Sequence, residues 1–192
     1  MRLPSTSFTH RPWRIHDLAS DFRIEDVWAL PTPGGPDDLA VFVQQFTSTD
    51  VSDPVVRRLL DLRWKLGAML GLDKPDAGVG VRVATLRDRL PDDLRDGPRG
   101  PDFEVVPFKS VYQTDTEWVA EVANRTVHAL MHVGWVPDGA GGYHGEMTAL
   151  VKPNGLFGRL YMAAIKPIRV FLVNPLLMRS IGRDWRELRT AA

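Results

Sequence analysis

The stretch of sequence that decides the fold is TEWVAEVANRTVHALMHVGWV, residues 116–136. Hydrophobic and polar residues alternate on both sides of Asn124-Arg125, a pattern typical of two antiparallel strands joined by a tight turn. A two-residue turn at this dipeptide predicts an apolar face on which facing residues pair as follows: Trp118 with Met131, Ala120 with Ala129 and Val122 with Val127.

The opposite face of this hairpin carries acids and histidines. The same register pairs Glu121 with His128 and Glu117 with His132, and the next hairpin adds Glu146 beside His132 and Met147 beside Met131. Antiparallel sheets often have one covered and one solvated face, so we expect this polar ladder to be the solvated surface. A surface metal site is the alternative, but a His-Glu-x-x-His motif is absent.

Alternation and helix-capping residues predict the flanking elements. Further strands are expected at Phe22–Trp28, with Phe22, Ile24 and Trp28 on one face, and at Val79–Leu86, Phe103–Gln113 and Tyr143–Lys152. Two short helices after the first strand are expected from Asp37-Asp38 to Phe46 and from Ser52 or Asp53 to Leu70. The polar residues 91–101 are interpreted as a connection.

A long C-terminal helix is predicted within Leu156–Met178, after the turn at residues 153–155, with a kink or a restart at Pro167. We expect it to cover the apolar face of the sheet. A transmembrane span is not expected, because no stretch longer than 12 residues lacks Asp, Glu, Lys and Arg, whereas a span needs about 20 apolar residues. An interfacial membrane helix remains the alternative.

Composition places the chain among ordinary globular proteins. Its 192 residues fit one domain, with flexible ends expected at residues 1–12 and 185–192. With 44% hydrophobic and 25% charged residues, the chain is outside the disordered class. The lack of cysteine excludes disulfides, thiolate nucleophiles and cysteine zinc sites, and the N-terminus lacks the apolar run of a signal peptide. A cytosolic location is therefore expected.

Charge is uneven along the chain although the formal net charge is zero. From residue 152 onward there are two acids, Asp184 and Glu187, and eight basic residues, a local net charge of +6: Lys152, Arg159, Lys166, Arg169, Arg179, Arg183, Arg186 and Arg189. Such a tail can contact an anionic lipid surface, an acidic partner or nucleic acid. A solvated face is the simpler interpretation, so no nucleic-acid partner is expected and a peripheral membrane contact stays open.

The order of elements resembles the helix-grip superfamily, which includes Bet v 1, START and polyketide cyclase domains. Four segments are also similar to the bacterial domain of unknown function 2867: residues 24–31, 63–67, 85–94 and 166–171. The resemblance implies an α+β helix-grip fold, an antiparallel sheet wrapped on a long C-terminal helix. It also implies a hydrophobic-ligand or accessory role, since related domains occur fused to nicotinamide-binding oxidoreductase domains.

A ligand cavity is predicted between the sheet and the C-terminal helix. Its candidate lining comprises Phe108, Ser110, Tyr112, Trp118, Met131, Met147 and, on the second helix, Trp64. Tyr112 and Ser110 are the polar side chains that could orient a ligand, and their alternative role is as buried hydroxyls bonded to backbone. Gly78-Val-Gly80 lacks the third glycine of a dinucleotide fingerprint, so no cofactor and no metal are expected.

Two classes of function follow from this cavity. The first is non-enzymatic binding of a hydrophobic or lipid-like molecule. The second is a cyclase or dehydratase acting on a polyketide-like substrate with Tyr112 or a nearby polar group, or an accessory role beside an oxidoreductase. An enclosed ionisable group at the cavity would favour the enzyme, and an apolar cavity would favour the carrier.

Overall fold

One antiparallel sheet forms the centre of the molecule. The computed structural model describes residues 1–48, 58, 79 and 83–191. Within these residues a six-stranded sheet has the order β1-β2-β6-β5-β4-β3. The strands are β1 (Arg2–Leu3), β2 (Arg23–Ala29), β3 (Lys109–Gln113), β4 (Glu117–Ala123), β5 (Val127–Pro137) and β6 (Tyr143–Pro153).

Short helices precede the meander and one long helical stretch follows it. The described helices are α1 (Thr6–Thr9), α2 (Ile15–Leu18), α3 (Leu39–Ser48), a 3₁₀ turn (Leu86–Arg89), α4 (Asp92–Arg95), α5 (Gly155–Ile168), a π-helical segment (Arg169–Val173) and α6 (Asn174–Ala191). The predicted α+β arrangement of an antiparallel sheet and a long C-terminal helix is confirmed. The predicted helix from Ser52 to Leu70 lies outside the described residues.

The central hairpin has a wider loop than predicted. Trp118 faces Val133 instead of Met131, and Val133 faces Met147, so both hairpin registers differ from the prediction by two residues. The cause is the Asn124 side chain, whose carbonyl oxygen accepts hydrogen bonds from the backbone N–H groups of Thr126 (2.9 Å) and Val127 (3.1 Å). Because side chains alternate with period two, a shift of two leaves every residue on its predicted face.

A β-bulge overturns the face predicted for Trp28. In the pairing of β2 with β6, Glu25 is an extra residue between Ile24 and Asp26. A bulge of one residue reverses the alternation beyond it. Ile24 therefore packs with the cluster that contains Phe8, whereas Trp28 packs on the other side of the sheet.

Two predicted strands differ from the sequence pattern. Of Phe103–Gln113, only Lys109–Gln113 is a strand. The strand predicted at Val79–Leu86 is wrong at its end, because the 3₁₀ turn begins at Leu86. Residues 80–82 lie outside the described residues, and Val79 forms an isolated bridge with Val83. Thr85 caps this turn by accepting from the Arg87 N–H, which fixes a helical conformation at the residues that follow.

Both faces of the sheet are covered. One face, here called the helix face, packs against α3 and α6 through Phe42, Trp118, Trp135, Met147 and Trp185. The other, here called the N-terminal face, is covered by residues from two parts of the chain: Phe8, Trp13, Ile15, Leu18, Phe22, Leu86, Leu90 and Leu94. The termini expected to be flexible thus carry β1, α1 and the last turns of α6.

Two features shape the C-terminal helical stretch: a close backbone contact at Gly158 and a π-helical segment after Pro167. A Cβ at Gly158 would overlap the Thr126 carbonyl oxygen at the tip of the β4–β5 hairpin, so α5 lies directly on that loop. Pro167 has no N–H to donate, and the π-helical segment begins two residues later. The kink or restart predicted at Pro167 therefore takes the form of a wider helical turn.

Gly158→Ala tests the seating of α5. We expect the variant to lower the free energy of unfolding by about 1–3 kcal/mol, the usual cost of overpacking, because the added methyl meets backbone. Denaturant unfolding would measure the change. A gain of about 1 kcal/mol, as helix propensity alone requires, would contradict the close contact.

Candidate functional site

The polar ladder is buried, which overturns its prediction as a solvated surface. Glu117, Glu121, His128 and His132 are each no more than 3% exposed. The reason is the layer over the N-terminal face, whose four-residue helices and single turn carry no periodic signal in the sequence. Buried carboxylates and imidazoles require hydrogen-bond partners, so their partners define what this face does.

Glu121 anchors the 3₁₀ turn to the sheet. Its carboxylate accepts hydrogen bonds from the Leu86 backbone N–H (3.0 Å), from the Thr85 hydroxyl and from Nε2 of His128 (2.8 Å). Burial opposes its ionisation, but these donors outweigh burial and hold the pKa of Glu121 below its ordinary value. The charged carboxylate therefore joins β4, β5 and the covering turn.

Glu117, four residues before Glu121 on β4, has a similar set of partners. Its carboxylate accepts from the Arg14 backbone N–H (2.7 Å), immediately before α2, and from Nε2 of His132 (3.0 Å). Burial, followed by the negative charge of Glu117, raises the pKa of Tyr112 far above its ordinary value. The Tyr112 hydroxyl is thus held protonated and cannot serve as a base near neutral pH.

His132 is held as a neutral imidazole. Burial lowers its pKa, although hydrogen bonding to Glu117 acts in the opposite direction. Because a carboxylate only accepts, Nε2 carries the proton, and Nδ1 has no hydrogen-bond partner among the described residues. The rings of Phe8 and Trp13 lie about 5 Å from the imidazole, centre to centre. A carboxylate-oriented imidazole is common in general-base catalysis, but here it is enclosed by aromatic rings and holds the covering layer in place.

A metal is not favoured on this face. In residues 1–48 and 83–191, no group of three or more His, Asp or Glu side chains is placed to hold an ion. The carboxylates of Glu117 and Glu121 are already engaged by backbone and imidazole donors. The two histidines four residues apart therefore act separately, each with its own glutamate.

The predicted ligand residues divide between the two faces. Phe108, Trp118, Met131 and Met147 pack together with the helix-face cluster. Tyr112 lies on the N-terminal face, so its predicted place beside them is wrong. The cause is again a bulge, in which Val111 is an extra residue between Ser110 and Tyr112 in the pairing with β4. Trp64 lies outside the described residues.

Ser110 is not available as a polar contact for a ligand. Its hydroxyl donates to the Arg99 carbonyl oxygen and accepts from Nε1 of Trp118 (2.8 Å). This is the backbone-bonded role that the sequence left open for it. Trp118 and Met147 are themselves almost fully buried against aromatic side chains, so they form packed core.

A partly exposed apolar patch lies on the helix face beside that core. Three strands contribute to it in register, because Val122 faces Ala129 and Met131 faces Ala149. These residues and Phe108 are each partly exposed, unlike the deeper Trp118 and Met147. Of the predicted ligand residues, only Phe108 and Met131 belong to this apolar patch. Val122, Ala129 and Ala149 could have been included, since period two places them on the same face.

Most of the chain matches one protein family. A model of the family described as Protein of unknown function (DUF2867) matches residues 18–176. The chain belongs to the DUF2867 family. A search of curated proteins and a search of solved structures each returned no match.

The DUF2867 match includes the sheet from β2 onward but only part of the layer over the N-terminal face. It includes β2 to β6, α3, α5 and the 3₁₀ turn held by Glu121, together with the whole apolar patch. Residues 1–17, which contribute Phe8, Trp13 and the Arg14 N–H to the cover over Glu117, precede the match. The anchor at Glu121 is therefore part of the DUF2867 region, and one partner of Glu117 is supplied from outside it.

Three open grooves in the described part of the chain lie away from the predicted site. They have volumes of about 480, 290 and 510 Å³ and lie beside Trp185, Asp93 and Asp26 respectively. Phe108, Met131 and the other described residues of the predicted site line none of the three. The apolar patch is thus a separate surface feature.

The buried state of His132 predicts a pH dependence of stability. Its pKa is lowered in the fold, so the unfolded chain binds the proton more readily. The stability is fully present above the ordinary histidine value of about 6.5 and is lost as pH falls below it. We expect His132→Gln to have a shallower loss between about pH 7 and pH 5, by up to about 1.4 kcal/mol per pH unit.

The matched control is His10→Gln, since His10 is exposed. Urea unfolding at a series of pH values would measure both variants against the unaltered chain. If His132→Gln and His10→Gln have the same slope as the unaltered chain, His132 is not held neutral by burial.

Proposed function

We propose that this chain is a helix-grip, START-like domain that holds a hydrophobic or lipid-like molecule between the sheet and the C-terminal helix. The observation that carries the proposal is the apolar patch formed by Phe108, Val122, Ala129, Met131 and Ala149, which stays partly exposed on an otherwise packed face. Binding sites for small molecules are concave and mainly apolar, with few polar groups. All five side chains of the patch are apolar, which matches the composition of such sites.

Aromatic side chains flank the patch and add to its apolar character. Phe103 and Phe108 lie 5.9 Å apart between ring centres, and Phe46 contacts Phe103 at 5.2 Å. Phe46, Phe103 and Phe108 are all partly exposed. Rings of this kind offer a large apolar area to a flat or extended ligand without hydrogen bonding to it.

Binding is favoured over catalysis by the position of the ionisable groups. Glu117, Glu121, His132 and Tyr112 all lie on the N-terminal face, so the thickness of the sheet separates them from the apolar patch. Ser110 is on the helix face but is bonded to Arg99 and Trp118. Asp26 is buried on the helix face opposite Ala149, but its carboxylate is already paired with Arg169 at 2.8 Å. A cyclase or dehydratase needs a group that exchanges a proton with its substrate, and each of these side chains either lies on the other face or is already bonded.

Replacement of Ala129 by Trp tests the proposal. Ala129 lies in the middle of the patch, so an indole ring there should fill the space a ligand would occupy. We expect cis-parinaric acid, a fluorescent fatty acid, to bind the unaltered chain and to bind Ala129→Trp at least roughly tenfold more weakly, about 1.4 kcal/mol.

Val41→Trp is the matched control, because Val41 is exposed on α3 and lies outside the patch. It should bind the probe as the unaltered chain does. Native mass spectrometry of the purified protein should also show a retained apolar molecule. Equal binding by Ala129→Trp, or no probe and no retained molecule in the unaltered chain, would reject the proposal.

A further inference from the structure

Exposed apolar side chains are concentrated on the C-terminal helix. Five of the large hydrophobic side chains that are exposed in the described part of the chain lie between residues 156 and 172: Leu156, Leu160, Ile168, Phe171 and Leu172. Phe171 is 81% exposed and Leu156 is 72% exposed. Single exposed apolar residues need no explanation, but a contiguous group on one element marks an interaction surface.

Three of the five lie on the outer side of α5, and the other two, Phe171 and Leu172, are exposed on the π-helical segment that follows it. At about 100° per residue, Leu156, Leu160 and Ile168 fall within an arc of about 120°. Gly158 and Met162 are buried and lie on the opposite side, where α5 rests on the hairpin tip and on Val127 and Val151. We call the five exposed residues the outer stripe.

The charge around the outer stripe is positive. No Asp or Glu occurs from Met147 to Arg183. Arg159 and Arg179 are exposed on the same helical stretch and make no ion pair with a described residue. Apolar side chains next to exposed cations match the chemistry of a bilayer with anionic headgroups, where the apolar groups insert and the cations meet phosphate.

The helix is held in an orientation that suits lying on a bilayer. By length and composition alone, the helical stretch Gly158–Ala191 could cross a membrane, and only 12% of its most apolar window is buried. A single such helix is weak evidence of a span. Arg169 pairs with Asp26 at 2.8 Å and Lys166 with Glu25 at 3.5 Å, which fastens the middle of the stretch to β2. A crossing helix would have to break both pairs.

We infer that the outer stripe is a docking surface for an anionic bilayer, with α5 lying parallel to the membrane plane. The sheet stays above the headgroups, and Lys166 and Arg169 hold the helix on the folded domain while Leu160 and Phe171 insert. A lipid-facing role for this surface does not depend on a ligand in the apolar patch. Membrane docking by the outer stripe and ligand binding at the apolar patch can therefore be tested separately.

Vesicle sedimentation of the full chain tests this inference. We expect binding to vesicles of phosphatidylcholine mixed with phosphatidylglycerol, and weaker binding to phosphatidylcholine alone. Leu160→Ser with Phe171→Ser should lose roughly tenfold or more in affinity, since two apolar side chains no longer insert. Arg159→Glu should weaken binding to the mixed vesicles by roughly fivefold or more and reduce its dependence on salt.

The matched control is Val41→Ser with Val105→Ser, which removes two exposed apolar side chains away from the helix. It should bind vesicles as the unaltered chain does, and all variants should keep the same circular dichroism spectrum. Absence of sedimentation, or equal sedimentation of the stripe variant, would overturn the inference. Light scattering would also overturn it if the unaltered chain were a dimer and the stripe variant a monomer. The outer stripe would then be the contact between two copies of the chain.

Discussion

Two buried carboxylates on β4 impose the constraint on which the rest of the structure depends. An ionised carboxylate inside a protein costs several kcal/mol unless hydrogen bonds replace its water. Glu117 and Glu121 obtain those bonds from β5 imidazoles and from backbone N–H groups of Arg14 and Leu86. The donors come from two distant parts of the chain. Both parts must therefore fold onto the N-terminal face, which makes the sheet a central layer with two covered sides.

Sequence periodicity was sufficient for the meander and for the faces of its central hairpin. Alternation around residues 116–136 predicted β4 and β5, and the contacts of Glu121 with His128 and of Glu117 with His132 exist as predicted. They are diagonal contacts instead of direct pairs, because the loop held by Asn124 shifts the register by two residues. An even shift preserves faces, so the error in register did not move any of these residues to the wrong face of the sheet.

Other features could not be read from alternation. A bulge adds one residue without a distinctive residue type, and those at Glu25 and Val111 moved Trp28 and Tyr112 to the faces opposite those predicted. The covering layer is built from helices too short for a period of 3.6 to be visible. Among the residues that hold this layer to the sheet, only Thr85 could be recognised from the sequence. It is a helix-capping residue type, and Asp88 follows three positions later.

The two faces of the sheet have different roles: the N-terminal face holds the layers together, and the helix face carries the apolar patch. NMR of the His132 imidazole nitrogens tests the first role most directly. We expect a neutral ring with the proton on Nε2, which titrates only at a pH below the ordinary value of about 6.5. A ring that titrates near that value with both tautomers populated, as in a solvated ladder, would contradict it.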